Sequence, residues 1–268
     1  MSKCKIVMFS DVHYSSEVPT SKDKLTQYSI DLIDKLVDTS NNIVNPDLIF
    51  CLGDLIDDKC DKQEDAKSIK YVLSHFEKFN APCHTLFGNH DLRPYDTREE
   101  LEVIMGCKGT YSFDSHGYHF IVLGLSVSNA SIKDAYGIAR SHYLSADDIT
   151  WLDCDLRNTT LPTIIVSHYS IGHDNMSANK WFKDSPCDIA FKNRDDIQKI
   201  IRKYDNVIAL FNGHEHWTKS MVEDGLPFFT VGSMTENING DGIPDGVYII
   251  VDLEDKNIQV LDRHIRLQ

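Results

Sequence analysis

Five short polar clusters in this sequence each follow an apolar stretch of strand length. They are Ser10-Asp11-Val12-His13 after Lys5–Phe9, Gly53-Asp54-Leu55-Ile56-Asp57 after Leu48–Leu52, and Gly88-Asn89-His90-Asp91 after Cys83–Phe87. Ser167-His168 follows Thr163–Val166, and Gly213-His214-Glu215-His216 follows Val207–Phe211. One cluster alone says little, since Gly-Asp marks a turn and Gly-Asn-His-Asp suits a loop with positive φ. Together they are hard to produce by packing, because carboxylate, amide and imidazole groups are costly at buried strand ends unless they share a partner. Oxygen and imidazole donors without thiolate favour Mn, Fe or Zn over a closed structural zinc site. The chemistry that suits the set is a two-metal site. There a bridging carboxylate holds two ions about 3.5–4 Å apart as a clamp for in-line displacement at phosphorus.

Such a site needs strands that end at one place. Besides the five runs above, His119–Leu125, Phe228–Val231, Val247–Asp252 and Ile258–Leu261 read as strands. Helical stripes lie between them: Leu25, Tyr28, Leu32, Ile33, Leu36 and Val37; Ile69, Val72, Leu73, Phe76 and Phe79; and Ile197, Ile200, Ile201 and Tyr204. Ser145, with Asp148 three residues on, predicts a capped helix carrying Ile149, Trp151, Leu152 and Leu156. Strand and helix alternate to about residue 211 and strands alone follow. That order predicts an α/β protein built from βαβ units around largely parallel strands, with antiparallel additions at the end. No linker or repeat interrupts the chain, so residues 1–268 read as one domain. In open α/β sheets, sites form in the crevice outside the carboxyl ends of the strands, where all five clusters fall.

The chain has 268 residues, and 27 Lys+Arg against 41 Asp+Glu give a formal charge of −14. An acidic surface repels phosphate backbones and anionic lipid, so non-specific nucleic-acid or membrane binding is not expected. Two divalent ions would add +4 at one point and let a small anionic phosphoester bind there. The seven cysteines form no Cys-x-x-Cys pair, and no signal-peptide core precedes Asp11. Reduced thiols and a cytoplasmic location are the expectation.

The motifs Asp-x-His, Gly-Asp, Gly-Asn-His-Asp, His and Gly-His-x-His, in this order from Asp11 to His216, resemble the calcineurin-like metallophosphoesterase superfamily. The resemblance implies a four-layer αββα sandwich with mixed β-sheets and two divalent metal ions (Mn, Fe or Zn). It places Asp11, His13 and His216 on the first metal, Asn89, His168 and His214 on the second, and Asp54 between them. It further implies attack of water on phosphorus while His90, with help typically worth about 10²–10⁴-fold, protonates the leaving oxygen. Asp57 resembles the carboxylate that orients this histidine, and equally reads as a solvated acid in the run Asp57-Asp58-Lys59-Cys60-Asp61. Asn89, His90 and Arg93 are the candidates for contacting the phosphate. Arg93 reads equally as a salt-bridge partner behind the ligand loop.

Asp58 and Asp91 stand where the protein Ser/Thr phosphatases of this superfamily carry Arg and Glu, and Asp57 stands where purple acid phosphatases carry a metal-ligating Tyr. The remaining pattern, with Asn45-Pro46-Asp47 and Ser145…Trp151-Leu152, is similar to the class III cyclic-nucleotide phosphodiesterase group. The expected activity is therefore that of a phosphodiesterase acting on small phosphoesters such as cyclic nucleotides. A phosphomonoesterase or nucleotide pyrophosphatase is the alternative within the enzyme class, and a non-catalytic scaffold the alternative outside it. Tyr136, Arg140 and His142 in one long connection, and His173 and Trp181 in another, are candidates for recognising a base or leaving group. The segment from Asn237 to Asp245 carries oxygens at positions 1, 3, 5 and 9 and Gly at 6, as a calcium loop would, and equally as a Gly-rich turn would.

Overall fold

The computed structural model describes residues 2–17, 21–126, 143–174, 176–177, 179–183 and 189–267. Along them run β1 (Lys3–Phe9), α1 (Ser29–Thr39), β2 (Leu48–Cys51), α2 (Lys62–Phe76), β3 (Cys83–Thr85), α3 (Asn89–Leu92), α4 (Arg98–Met105), β4 (Tyr111–Ser115) and β5 (Tyr118–Leu123). There follow α5 (Ala146–Asn158), β6 (Thr163–Ser167), α6 (Arg194–Ile201), β7 (Val207–Asn212), β8 (Lys219–Glu223), β9 (Leu226–Thr230), β10 (Val247–Glu254) and β11 (Asn257–His264). Ser145 caps α5 as its spacing predicts, accepting from the Asp148 N–H at 3.0 Å.

Alternation along the strands dictates the layering. Ile6 and Met8 of β1 share one buried cluster with Phe120 and Val122 of β5, Ile164 and Val166 of β6, and Ala209 and Phe211 of β7. Val7 and Phe9, one residue out of phase, instead join Leu32, Leu36, Ile69 and Val72 of α1 and α2. Ile121, Ile165 and Leu210 likewise turn away from the first cluster, toward Leu152, Leu156, Ile197 and Ile201 of α5 and α6. Successive strand side chains point to opposite faces, so strands apolar on both faces must be covered on both, here by a second sheet within and helices without. The result is the expected four-layer αββα arrangement of two mixed sheets, with strand orders β11-β10-β1-β2-β3 and β4-β5-β6-β7-β9-β8. Parallel pairs run from β1 to the β3 edge of the smaller sheet (β1·β2, β2·β3) and through the centre of the larger (β5·β6, β6·β7, β7·β9).

The antiparallel additions are not confined to the C-terminal end. β4 and β8 pair antiparallel at the two edges of the larger sheet, and neither they nor α4 were expected from the sequence. Both edge strands are short and half exposed, so they lack the apolar run that marked the others. Each joins its neighbour through a tight hairpin turn. His116-Gly117 and Asp224-Gly225 each place two successive residues at positive φ, the primed turn that joins tight hairpins.

β4 and α5 are fastened to β5 through His119. Its Nδ1 lies 2.6 Å from Asp114 Oδ1, its cross-strand neighbour on β4, and its Nε2 lies 2.8 Å from Asp155 Oδ2 on α5. Burial disfavours the imidazolium, but the two carboxylates outweigh it and raise the pKa above the usual 6.5. The folded value exceeds the unfolded one, so this stabilisation is complete below about pH 6.5 and fades as pH rises through the folded pKa. Replacing His119 by Gln should therefore lower the denaturant midpoint more at pH 6 than at pH 9, with a loss at pH 6 on the order of 1.5–3 kcal/mol, as for hydrogen bonds to charged groups. Equal losses at the two pH values would contradict the assignment.

Candidate metal centre

The site forms where the carboxyl ends of the parallel strands from both sheets converge. The loop after β1 runs beside the loop after β2, with Asp11 N donating to the Gly53 carbonyl, His13 N to the Asp54 carbonyl and Tyr14 N to the Leu55 carbonyl, at 2.9–3.0 Å. The loop after β7 closes on β1, where His214 N donates to Asp11 Oδ2 at 3.0 Å. Asp11, His13, Asp54, His214 and His216 all adopt positive φ (54°, 46°, 53°, 69° and 59°). That conformation costs a non-glycine residue roughly 1–2 kcal/mol. Held at five converging positions, it is strain that the surrounding ladder overcomes to aim these side chains inward. Gly88 cannot be replaced without disruption, because a Cβ there would lie 1.9 Å from Asp54 Oδ1. Asp91 secures the same corner, its Oδ2 accepting from Gly88 N at 2.9 Å and its Oδ1 from Leu55 N at 2.9 Å.

Two groups of buried donors result. Asp11, His13, Asp54 and His216 form one, and Asp54, His168 and His214 the other, with the ligand atoms of each group within 4.8 Å of one another. Asn89 belongs with the second, its Oδ1 3.2 Å from His168 Nε2. In the first group His13 Nε2 and His216 Nε2 face each other at 2.9 Å, and Asp11 Oδ1 is 3.3 Å from His216 Nε2. Asp11 Oδ1 is buried and accepts no hydrogen bond. Converging lone pairs and an orphaned buried carboxylate oxygen are what a cation would satisfy, so the donor set fits a divalent ion in each group, with Asp54 common to both.

Partners behind the ligands set which nitrogen faces inward. His168 Nδ1 lies 2.7 Å from the Leu52 carbonyl, which can only accept, so that nitrogen carries the proton and Nε2 is turned to the site. His216 Nδ1 is held in the same way by the Glu236 carboxylate at 2.8 Å. Burial opposes a second proton on either ring. The negative charge of Asp54 nevertheless brings His168 to about 9, and that of Asp11 brings His216 to about 8. Asp54 itself, despite burial, is held well below the usual carboxylate range by His168 and His90.

A sequence profile of the calcineurin-like phosphoesterase family matches residues 4–218. The chain belongs to that family. A protein of Oryza sativa subsp. japonica named as a manganese-dependent ADP-ribose/CDP-alcohol diphosphatase is 24% identical over 253 residues, covering 78% of this chain and 76% of its own. A protein of Psychrobacter arcticus, "Probable cyclic nucleotide phosphodiesterase", is 23% identical over 244 residues, covering 85% and 79%. The crystal structure of a dimetal phosphatase from Danio rerio shares the fold at a TM-score of 0.71 and 15% identity, over 97% of this chain and 96% of that one. As a calcineurin-like phosphoesterase, the chain is a metal-dependent phosphoester hydrolase with a His/Asp cluster able to hold two metal ions.

Around this centre the calcineurin-like phosphoesterase departs from expectation in three places. The carboxylate beside His90 Nδ1 is Asp58, at 2.6 Å, whereas Asp57 Oδ1 is 3.7 Å away and receives Lys24 Nζ at 3.1 Å. Spacing along a loop does not say which of two adjacent acids turns inward, and Asp58 is the fully buried one. Arg93 lies behind His90 with Nη1 2.7 Å from Asp58 Oδ1, the salt-bridge alternative of the two read from sequence. His173 lies away from the centre, between Glu223 at 2.7 Å and Asp195 at 2.9 Å. Trp181 does reach the centre, its ring centroid 5.7 Å from that of His216. Tyr136, Arg140 and His142 lie outside the described residues. In the 237–245 segment, Asn237 Oδ1 accepts from Gly242 N, Asp241 Oδ1 accepts from Ile243 N, and Asp245 faces His264, so its side chains serve the turn and its neighbours. Glu236 and Lys24 were not anticipated, since neither sits in a motif and Glu236 lies twenty residues beyond its partner His216.

A cation entering the site must displace the protons on His168 and His216. Metal affinity should therefore fall steeply as pH drops from 8 to 6, with protons released on binding. Calorimetric titration with Mn²⁺ in buffers of different ionisation heat measures both, and a pH-independent affinity would contradict the ligand assignment.

Proposed function

We propose that this phosphoesterase cleaves phosphodiester or phosphoanhydride bonds in small nucleotide-like molecules, with residues 1–268 forming one domain. The observation that carries the reading is Asp54, whose carboxylate is common to both donor groups while its Oδ1 also accepts from His90 N at 2.9 Å. That arrangement would hold His90 at the edge of a two-ion clamp. Ions held by Asp11, His13, Asp54 and His216, and by Asp54, Asn89, His168 and His214, would polarise the phosphoryl oxygens and lower the pKa of the attacking water. Manganese is favoured among Mn, Fe and Zn because the rice relative is named for it. A cytoplasmic location is favoured by six unpaired cysteines among the described residues.

His90 is the general acid in this reading. Asp58 is ionised, because His90 and Arg93 together outweigh its burial and lower its pKa. Paired with Nδ1 at 2.6 Å, it would leave Nε2 for the leaving oxygen. Burial and the Lys24 ammonium lower the pKa of His90, and the negative charge of a bound phosphate group raises it back toward the protonated form. Asp57, held by Lys24, takes no part in orienting the ring. A diester or anhydride is preferred to a monoester because Arg93 and Lys24 both end on carboxylates, and the extra charge of a monoester dianion finds neither uncommitted.

Turnover of bis(p-nitrophenyl) phosphate should exceed that of p-nitrophenyl phosphate with Mn²⁺ supplied, and a monoester preference would overturn the reading. Asp58→Asn should lower kcat on a substrate with a poor leaving group by about 10²-fold, approaching His90→Ala, while Asp57→Asn stays near wild type. Metal content should be unchanged in all three. An inactive Asp57→Asn beside an active Asp58→Asn would reverse their roles.

A further inference from the structure

The connection between β6 and α6 delivers one large aromatic side chain to the rim of the metal centre. Trp181 is 37% exposed although its ring abuts that of the candidate ligand His216. Its position is fixed from several directions. Nε1 donates to Glu236 Oε2 at 3.2 Å, the same oxygen that holds His216 Nδ1. The backbone N–H groups of Trp181 and Phe182 donate to Asn179 Oδ1 at 2.8 and 3.1 Å. Buried Asn179 in turn donates from Nδ2 to the Glu215 carbonyl at 2.7 Å, so the segment is tied to the Gly-His-x-His loop itself. Two ammonium groups lie over the ring, Lys180 Nζ at 5.3 Å and Lys24 Nζ at 5.9 Å from its centroid, and a stacking base would take their place on the π-face. Each keeps its own carboxylate, Asp57 for Lys24 and Asp23 and Glu236 for Lys180, so they can withdraw from the indole onto these partners and create no net positive patch.

An indole held by its N–H edge, with open surface beside a phosphate-binding centre, is a stacking surface that is already ordered before a ligand arrives. Few torsions remain to be frozen, and any nucleobase offers a π-face to it. We propose that Trp181 is the platform on which the aromatic base of a nucleotide substrate stacks while its phosphoryl group occupies the metal centre. This rests on the reading of that centre as a phosphoester site and narrows its substrate class to esters or anhydrides that carry a base. The platform selects for a base without choosing among bases. Stacking of this kind changes affinity by about 5- to 150-fold, the equivalent of about 1–3 kcal/mol per base.

The test is calorimetric binding of AMP and of ribose 5-phosphate, which is AMP without its base, to the Mn²⁺-loaded protein. Wild type should bind AMP at least about 5-fold more tightly. Trp181→Ala should bring AMP down to the affinity of ribose 5-phosphate and leave ribose 5-phosphate unchanged. Trp181→Phe, which keeps a stacking ring and loses the bond to Glu236, should retain the advantage of the base. Equal affinity of wild type for the two ligands, or an advantage that survives in Trp181→Ala, would overturn the platform and leave the phosphate site standing. Loss of both ligands together in the two variants would make Trp181 a prop for Glu236 and His216 and would equally overturn it. Failure of wild type to bind either ligand would sink the phosphoester reading, and the platform with it.

Discussion

Everything in this structure bends around the burial of one shared carboxylate. Asp54 is 1% exposed, is ionised, and is common to two groups of imidazole and carboxylate donors. An isolated buried carboxylate is penalised by several kcal/mol even after relaxation, so it persists only where opposite charge is concentrated around it. Fused βαβ units supply the geometry, because parallel strands bring successive loops to one edge, and two sheets face to face bring two such edges together. The buried cluster between the sheets, from Ile6 and Met8 to Ala209 and Phe211, holds those edges in register. The positive-φ backbone at Asp11, His13, His214 and His216 then turns the ligands in.

A further tier of residues controls how the centre is presented. The Leu52 carbonyl and Glu236 fix the tautomers of His168 and His216, and Asp58, backed by Arg93, lies 2.6 Å from His90 Nδ1. Glu236 is the more consequential of these. One of its oxygens serves His216 and Trp181 while the other meets Lys180, so the donor cluster and the exposed Trp181 ring meet at a single buried side chain. An acidic chain can thereby handle an anionic substrate. Two divalent ions held by the donor groups would supply the positive charge there, since Lys24, Arg93 and Lys180 are each neutralised by carboxylates.

The cluster of potential metal donors was legible in the sequence because each member follows a buried strand, and an apolar run ending in Asp, Asn or His is a signal that spacing preserves. The layers were legible for the same reason, in the two-sided apolarity of Lys5–Phe9, Thr163–Val166 and Val207–Phe211. The edge strands β4 and β8 of the larger sheet were not, since they are short and partly exposed and lack an apolar run. Choosing between Asp57 and Asp58 needs the direction of a loop side chain, which depends on Arg93 some thirty-five residues away. Glu236 carries no local signal at all. It acts through a contact that exists only after β9 has paired with β7 and the chain returns toward β1, where Met234 N donates to the Ser10 carbonyl.

The central claim is that two ions share Asp54. Crystals of the protein grown with Mn²⁺, measured at the manganese edge, test it most directly through the anomalous difference map. The account predicts two peaks about 3.5–4 Å apart with the Asp54 carboxylate between them. One should lie against Asp11, His13 and His216 and the other against Asn89, His168 and His214. A single peak, or two peaks with Asp54 bound to only one of them, would contradict it.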